Sequence, residues 1–200
     1  MSNYATINNH TTSALGSVGN YLNTMKVTGT LTTVGPLAPN LAAANIAPQV
    51  TAFSFSDGLT TFASTDANVR MPGNIMVSTN ATGQITSASV SVERWQAGAA
   101  PHAVNDRLDY LSLSGISTTV AHNFKCLTIG VSWGTADYCT FLGTDTNAST
   151  ASVSDGGAWS IAAIVSAVAT VPTLSEWGVI ILVALMAMLG LVHARRTQRL

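Results

Sequence analysis

The sequence predicts an all-β protein: an antiparallel β-sandwich or jelly-roll-like body with a single C-terminal transmembrane helix. Three observations carry that expectation. Charged residues make up 8% of the chain while Ser and Thr number 46 of its 200 residues, against about 25% charge in an ordinary soluble protein. Polarity here comes from hydroxyls, which suit a pleated sheet better than a helical bundle. About eight to ten short β-branched segments, separated by turn residues and with no amphipathic helix before residue 174, read as a sandwich or jelly roll. The one long apolar run lies at the end, from Trp177 to Val192.

Residues 1–20 are rich in Asn, Thr, Ser and Gly and are expected to be a flexible N-terminal segment. The β-domain is expected over 21–170. Met25–Thr33 alternates Met25, Val27 and Leu31, and the stretch with Pro36, Pro39 and Pro48 reads as a loop with one helical turn. Val50–Ser56 and Leu59–Ser64 flank Asp57-Gly58, a dipeptide that tolerates the positive φ of a tight hairpin turn. Ile75–Thr79 and Ile85–Trp95 flank Asn80-Ala81-Thr82-Gly83, and in the second of these Ile85, Ala88, Val90 and Val92 alternate with Ser and Glu. One face of that strand should be buried and the other wet.

Gln96–Asp106 reads as a loop. Leu108–Leu113, Thr118–Phe124, Cys126–Trp133 and Tyr138–Leu142 continue the strands. Gly143–Gly157 reads as a polar loop, and Ala158–Ala169 as a last apolar strand. No internal repeat is evident, so solenoids and propellers are not expected.

Net charge is −1. Residues 1–170 hold five Lys/Arg against eight Asp/Glu, and such a body lacks the clustered cations that neutralise phosphates, which excludes nucleic-acid binding.

The body offers few chemical motifs. Gly130-Val131-Ser132-Trp133-Gly134 matches the G-x-S-x-G of a hydrolase nucleophile elbow, but the only His after Ser132 is His193, and the helix that should follow the elbow is missing. A β-turn or strand end explains it better. His10, His102 and His122 have no second ligand at metal spacing and read as exposed or satisfied histidines. Asp137, Asp145 and Asp155 lie in turn-rich stretches of the kind that supply calcium ligands, yet no EF-hand or acidic-repeat spacing supports such a site. No catalytic residue, metal or cofactor is expected, and the chain is read as no enzyme.

Cys126 and Cys139 are the only cysteines, and in an exported domain such a pair forms a candidate disulfide. A turn centred on Ser132-Trp133 sets them opposite each other, whereas one at Gly134–Asp137 does not. Trp95, Trp133 and Trp159, with Tyr110 and Tyr138, are candidates for a sugar-stacking platform, for which core packing is the simpler explanation. A carbohydrate-binding module is the second reading of the body.

The tail carries most of the functional signal. Trp177–Val192 holds 16 residues without a charge, a helix of roughly 24 Å. That is short against a hydrocarbon core of about 30 Å. Trp177 at one edge and arginines at the other can close the gap by snorkelling, placing a span over 177–193. The basic end 194–200 brings Arg195, Arg196 and Arg199 as a cytoplasmic stop, which puts the body outside. The rivals are a buried helix of a soluble core and a tail-anchored protein with a cytoplasmic body.

Val171-Pro172-Thr173-Leu174-Ser175-Glu176-Trp177-Gly178 resembles the IPTLxxWG signature of IPTL-CTERM sorting-signal proteins, related in kind to PEP-CTERM, with Val171 in place of Ile. The resemblance covers residues 171–200, with motif, apolar helix and basic end in order. It implies a Gram-negative envelope protein recognised by an exosortase-type membrane transpeptidase. That enzyme would cut near Pro172-Thr173 and move the body from the inner membrane to the cell surface or extracellular matrix, where extracellular polysaccharide is a candidate partner. Pro172 supports an extended, accessible approach to such an enzyme. Residues 1–20 show neither the basic start nor the apolar run of a signal peptide, so the leader is expected upstream of a miscalled or truncated start at Met1.

Overall fold

A computed structural model describes residues 1–10, 19–96, 98–160, 178 and 180–189. Residues 1–161 form one unit and residues 162–200 another.

The first unit is built from antiparallel strands. In chain order they are β1 (Thr6–Asn8), β2 (Thr28–Thr33), β3 (Ala44–Asn45), β4 (Val50–Ser56), β5 (Thr61–Ala63), β6 (Val69–Arg70), β7 (Met76–Thr79), β8 (Ile85–Trp95), β9 (Arg107–Ser114), β10 (Ser117–Ser132), β11 (Thr135–Gly143) and β12 (Ser149–Val153). A 3₁₀ turn at Ala47–Gln49 is the one helical turn of the Pro-rich stretch. The larger sheet runs β1-β12-β10-β9-β8-β7-β3, with β11 on β10 and β6 on β8, and the smaller runs β2-β4-β5.

The two faces of the large sheet follow from the alternation along β8 and β9. Ala88, Val90 and Val92 of β8 and Leu111 and Leu113 of β9 enter one buried cluster with Phe55 and Phe62 of the smaller sheet, Val120 and Ala151. Residues of opposite parity, Trp95 and Leu108, enter a second cluster with Cys126 and Cys139. Strand β9 is therefore covered on both sides, and its run RLDYLSLS buries more of its length than simple alternation would require.

The expected strands Thr118–Phe124 and Cys126–Trp133 are one sixteen-residue strand, β10. Its pairing with β9 slips between Ala121 and Phe124, where Asn123 has φ 62°. An irregularity of this kind bends a strand and re-aims side chains without ending it. The β10–β11 turn falls at Trp133 and Gly134, both with positive φ, and Ser132 pairs with Thr135.

Two expectations need correction. The polar loop Gly143–Gly157 contains β12, whose inward residues are the small Ala151 and Ser149. A strand filled by small residues leaves little apolar signal. Residues 1–20 include β1, which pairs with β12 through Thr6↔Ser152, Ile7↔Ala151 and Asn8↔Thr150. Tyr4 anchors that end: it is buried against Tyr21 with ring centroids 5.5 Å apart, and its hydroxyl donates to the Asp57 carbonyl at 2.8 Å.

In the second unit residues 180–189 are helical, and each of them is exposed. No helix among the described residues is long and apolar enough to cross a membrane. The expected span 177–193 lies only partly within those residues. Most of the expected strand Ala158–Ala169 lies outside them, and residues 158–160 belong to no strand.

Candidate functional site

One row of side chains crosses the large sheet where its apolar face ends. Val92, Leu111 and Val120 stand side by side on β8, β9 and β10. Two residues further along each strand, on the same face, come Arg94, Asp109 and His122. Arg94 and Asp109 are direct cross-strand partners. The period of two thus carries a polar row out of the core and into a cleft of about 580 Å³, lined also by Leu59, Thr60, Thr61, Ala63 and Asp66.

Asp109 is the most fully engaged carboxylate of this row. Its Oδ1 accepts from Gln96 Nε2 at 2.7 Å and from the Asn123 N–H at 3.1 Å. Thr60 Oγ1 donates to its Oδ2 at 2.8 Å, and His122 Nδ1 lies 2.9 Å from Oδ1. Burial alone would push this carboxyl up. His122, Gln96 and Asn123 outweigh burial and hold it below the usual carboxylate range. The slip at Asn123 turns a backbone N–H toward Asp109 in place of a ladder bond, and so helps build the site.

The β4–β5 turn forms the opposite wall. Asp57 Oδ1 accepts from the N–H groups of Leu59 and Thr60 at 2.8 and 2.6 Å, and its Oδ2 accepts from Tyr21 at 2.7 Å. The Asp-Gly signal thus does more than turn the chain: the Asp57 side chain ties the turn down and sets Thr60 against Asp109. Burial pushes the Asp57 carboxyl up despite these bonds. At the rim, Arg94 Nε donates to Asp66 Oδ2 at 2.8 Å, with both side chains about one third exposed.

A second polar cluster lies on the other face, beneath β11. Asp137, with φ 57°, pairs with Arg70 at 2.9 Å and with His102 Nδ1 at 2.7 Å, and His102 stacks on Trp95 at 4.3 Å. Beside them Glu93 is fully buried. Its Oε1 accepts the Cys139 N–H at 2.8 Å, while its Oε2 has no partner among the described residues. Burial pushes the Glu93 carboxyl up to about 8.

The remaining candidates fall as follows. Cys126 and Cys139 are joined by a disulfide with Cα atoms 5.7 Å apart. Ser132 ends a strand that turns into another strand, so Gly130–Gly134 is a hairpin tip and no elbow. The proposed aromatic platform does not assemble: Trp95 and Tyr138 are buried, Tyr110 and Trp159 half-buried, and Trp133 is 70% exposed at the hairpin tip. Asp137, Asp145 and Asp155 do not converge. The first serves Arg70 and His102, the second holds Arg107 through two bonds at 2.6 and 3.1 Å, and the third accepts from Ser2. Among the described residues no group of three or more His, Cys, Asp or Glu is placed to hold a metal ion. His10 is half-buried, its N–H donating to Ser149 Oγ.

The sequence reading missed the Arg94–Asp109–His122 row. Each member lies two residues from an apolar inward residue, Arg94 and His122 after Val92 and Val120 and Asp109 before Leu111, but strand register was needed to bring them together.

Of the sorting motif, only Gly178 is described, helical and exposed. Val171–Trp177 and Arg195, Arg196 and Arg199 lie outside the described residues. Residues 169–196 match the family model of the IPTL-CTERM motif. The tail is thus a C-terminal segment of the sorting-signal class. No curated protein and no solved structure matches the chain.

Proposed function

We propose that this is an exported bacterial cell-surface or extracellular-matrix structural protein, whose tail is cut and transferred by an exosortase-type transpeptidase. The observation that carries the reading is the IPTL-CTERM match over residues 169–196. An apolar stretch and a basic end follow the motif in the order that a membrane-held substrate requires. In this reading 177–193 spans the inner membrane until cleavage, with Arg195, Arg196 and Arg199 in the cytoplasm and residues 1–170 outside.

The body is a non-enzymatic β-sandwich with extracellular polysaccharide as its partner. Phe55 and Phe62 of the small sheet and Val90, Val92 and Leu111 of the large one share a single cluster, which supports the sandwich. The disulfide supports an oxidising compartment.

Replacing Pro172 or Trp177 and following the protein in its native host tests the proposal. Variants that accumulate as an uncut, membrane-held precursor agree with it, and unchanged processing removes the motif from the mechanism.

A further inference from the structure

We propose that the cleft over Arg94, Asp109 and His122 binds an uncharged saccharide, gripped at its hydroxyls rather than stacked on an aromatic ring. The cleft's size, about 580 Å³, falls in the range of small-molecule sites.

Its charges narrow the ligand class. Arg94 is offset by Asp66, and Asp109 is set against His122, so no excess positive charge is left to hold a phosphate or sulfate. No Phe, Tyr or Trp is among the described lining residues, which removes the benzene or indole face that a quaternary ammonium would use, and the one ring present, the His122 imidazole, is buried and set against Asp109.

What the cleft does offer is adjacent donors and acceptors. Arg94 spends only Nε on Asp66, and its two terminal nitrogens have no hydrogen-bond partner among the described residues. Asp66 accepts one bond on each oxygen, from Asn68 and from Arg94, which leaves a lone pair on each. Thr61, an exposed residue, adds a hydroxyl to the same cleft.

A hydroxyl both donates and accepts. Two neighbouring hydroxyls on a sugar ring can therefore donate to Asp66 and accept from Arg94 at once, while Leu59 and Ala63 meet the C–H face. The buried bonds around Asp109 hold this wall in place before any ligand arrives, which lowers the ordering cost of binding.

The inference rests on the reading of the body as an exported domain only for the ligand's source. The binding test reads the cleft alone and C-terminal processing reads the tail alone, so the failure of one is distinguishable from that of the other. The full chain in detergent is titrated by saturation-transfer NMR with neutral hexoses, N-acetylhexosamines and their disaccharides. Glucuronate and inorganic phosphate serve as charged controls. Saturation of at least one neutral sugar is expected, weakened at least tenfold by Arg94→Ala and less by Thr61→Val, with thermal midpoints of the Thr61 variant unchanged. The proposal is overturned if no neutral sugar binds, if binding ignores both substitutions, or if glucuronate or phosphate is the ligand that Arg94 holds.

Discussion

Asp109 and Glu93 lie on adjacent strands of the same sheet, on opposite faces and both almost wholly out of water, yet they shift in opposite directions. Asp109 receives bonds from Gln96, Asn123 and Thr60 and lies against His122. Glu93 receives one, from the Cys139 N–H. Burial raises both; His122 beside Asp109, with the bonds from Gln96 and Asn123, outweighs it there, while the Cys139 bond and the nearby Arg70 do not outweigh it at Glu93. The cleft face thus carries a fixed charge in a preformed site, while the hairpin face carries a carboxyl that is neutral in mildly acidic solution.

The largest expected effect comes from dismantling the better-satisfied side. Asp109→Ala leaves buried donors on three elements without an acceptor and should cost about 3–5 kcal/mol, read by chemical denaturation at pH 7. A loss under 1 kcal/mol would mean that the network relaxes or takes in water, and the contrast with Glu93 would weaken.

Next is the staple over the hairpin face. Replacing both Cys126 and Cys139 by Ser should cost about 3 kcal/mol, the loop-closure value for a ring of this size. The same denaturation series, with and without reductant, checks it.

The pH profile is read as a slope, not as a single loss. Glu93 has its carboxyl raised to about 8 in the folded chain, so between its unfolded value near 4.5 and 8 the folded state holds the extra proton. Stability should therefore fall as pH rises through that window, by about 1.4 kcal/mol per unit at most, and level off above 8. Asp57, raised by burial as well, adds to the same decline, so Glu93→Gln should reduce it and not abolish it. Asp109, Asp137, Asp66 and Asp145 are lowered, so their contribution is present above the unfolded carboxylate range and is lost as acid takes the pH through their folded values. A profile that rises between pH 5 and 8 would contradict the assignment to Glu93.

The smallest change is expected at Asp155. Its carboxyl is held down to about 2 by Ser2 and the Gly157 N–H, but it sits at the surface. Asp155→Asn should leave the thermal midpoint at neutral pH nearly unmoved, with the same measurement as check.

Local chemistry made part of this legible beforehand. Strand β8 is legible at the limits it has, Ile85–Trp95, because its apolar residues alternate over enough length to declare a face. Asp57-Gly58 declared its turn. Strand β12 could not declare itself, since Ser149–Val153 presents hydroxyls and small side chains to both faces. Nor could the cleft: Arg94, Asp109 and His122 become neighbours only through the β8–β9–β10 register, and the slip at Asn123 that completes it has no local signature beyond an Asn tolerant of positive φ. The tail differs from the body in this respect. Its motif is contiguous, needs no register, and was readable residue by residue.

That contiguity makes the sorting reading the easiest to break. The most direct measurement is the C-terminal residue of the mature protein, isolated from its native host and determined by mass spectrometry. A chain ending near Pro172-Thr173 is the expected result, and a surface form that still ends at Leu200 would contradict it.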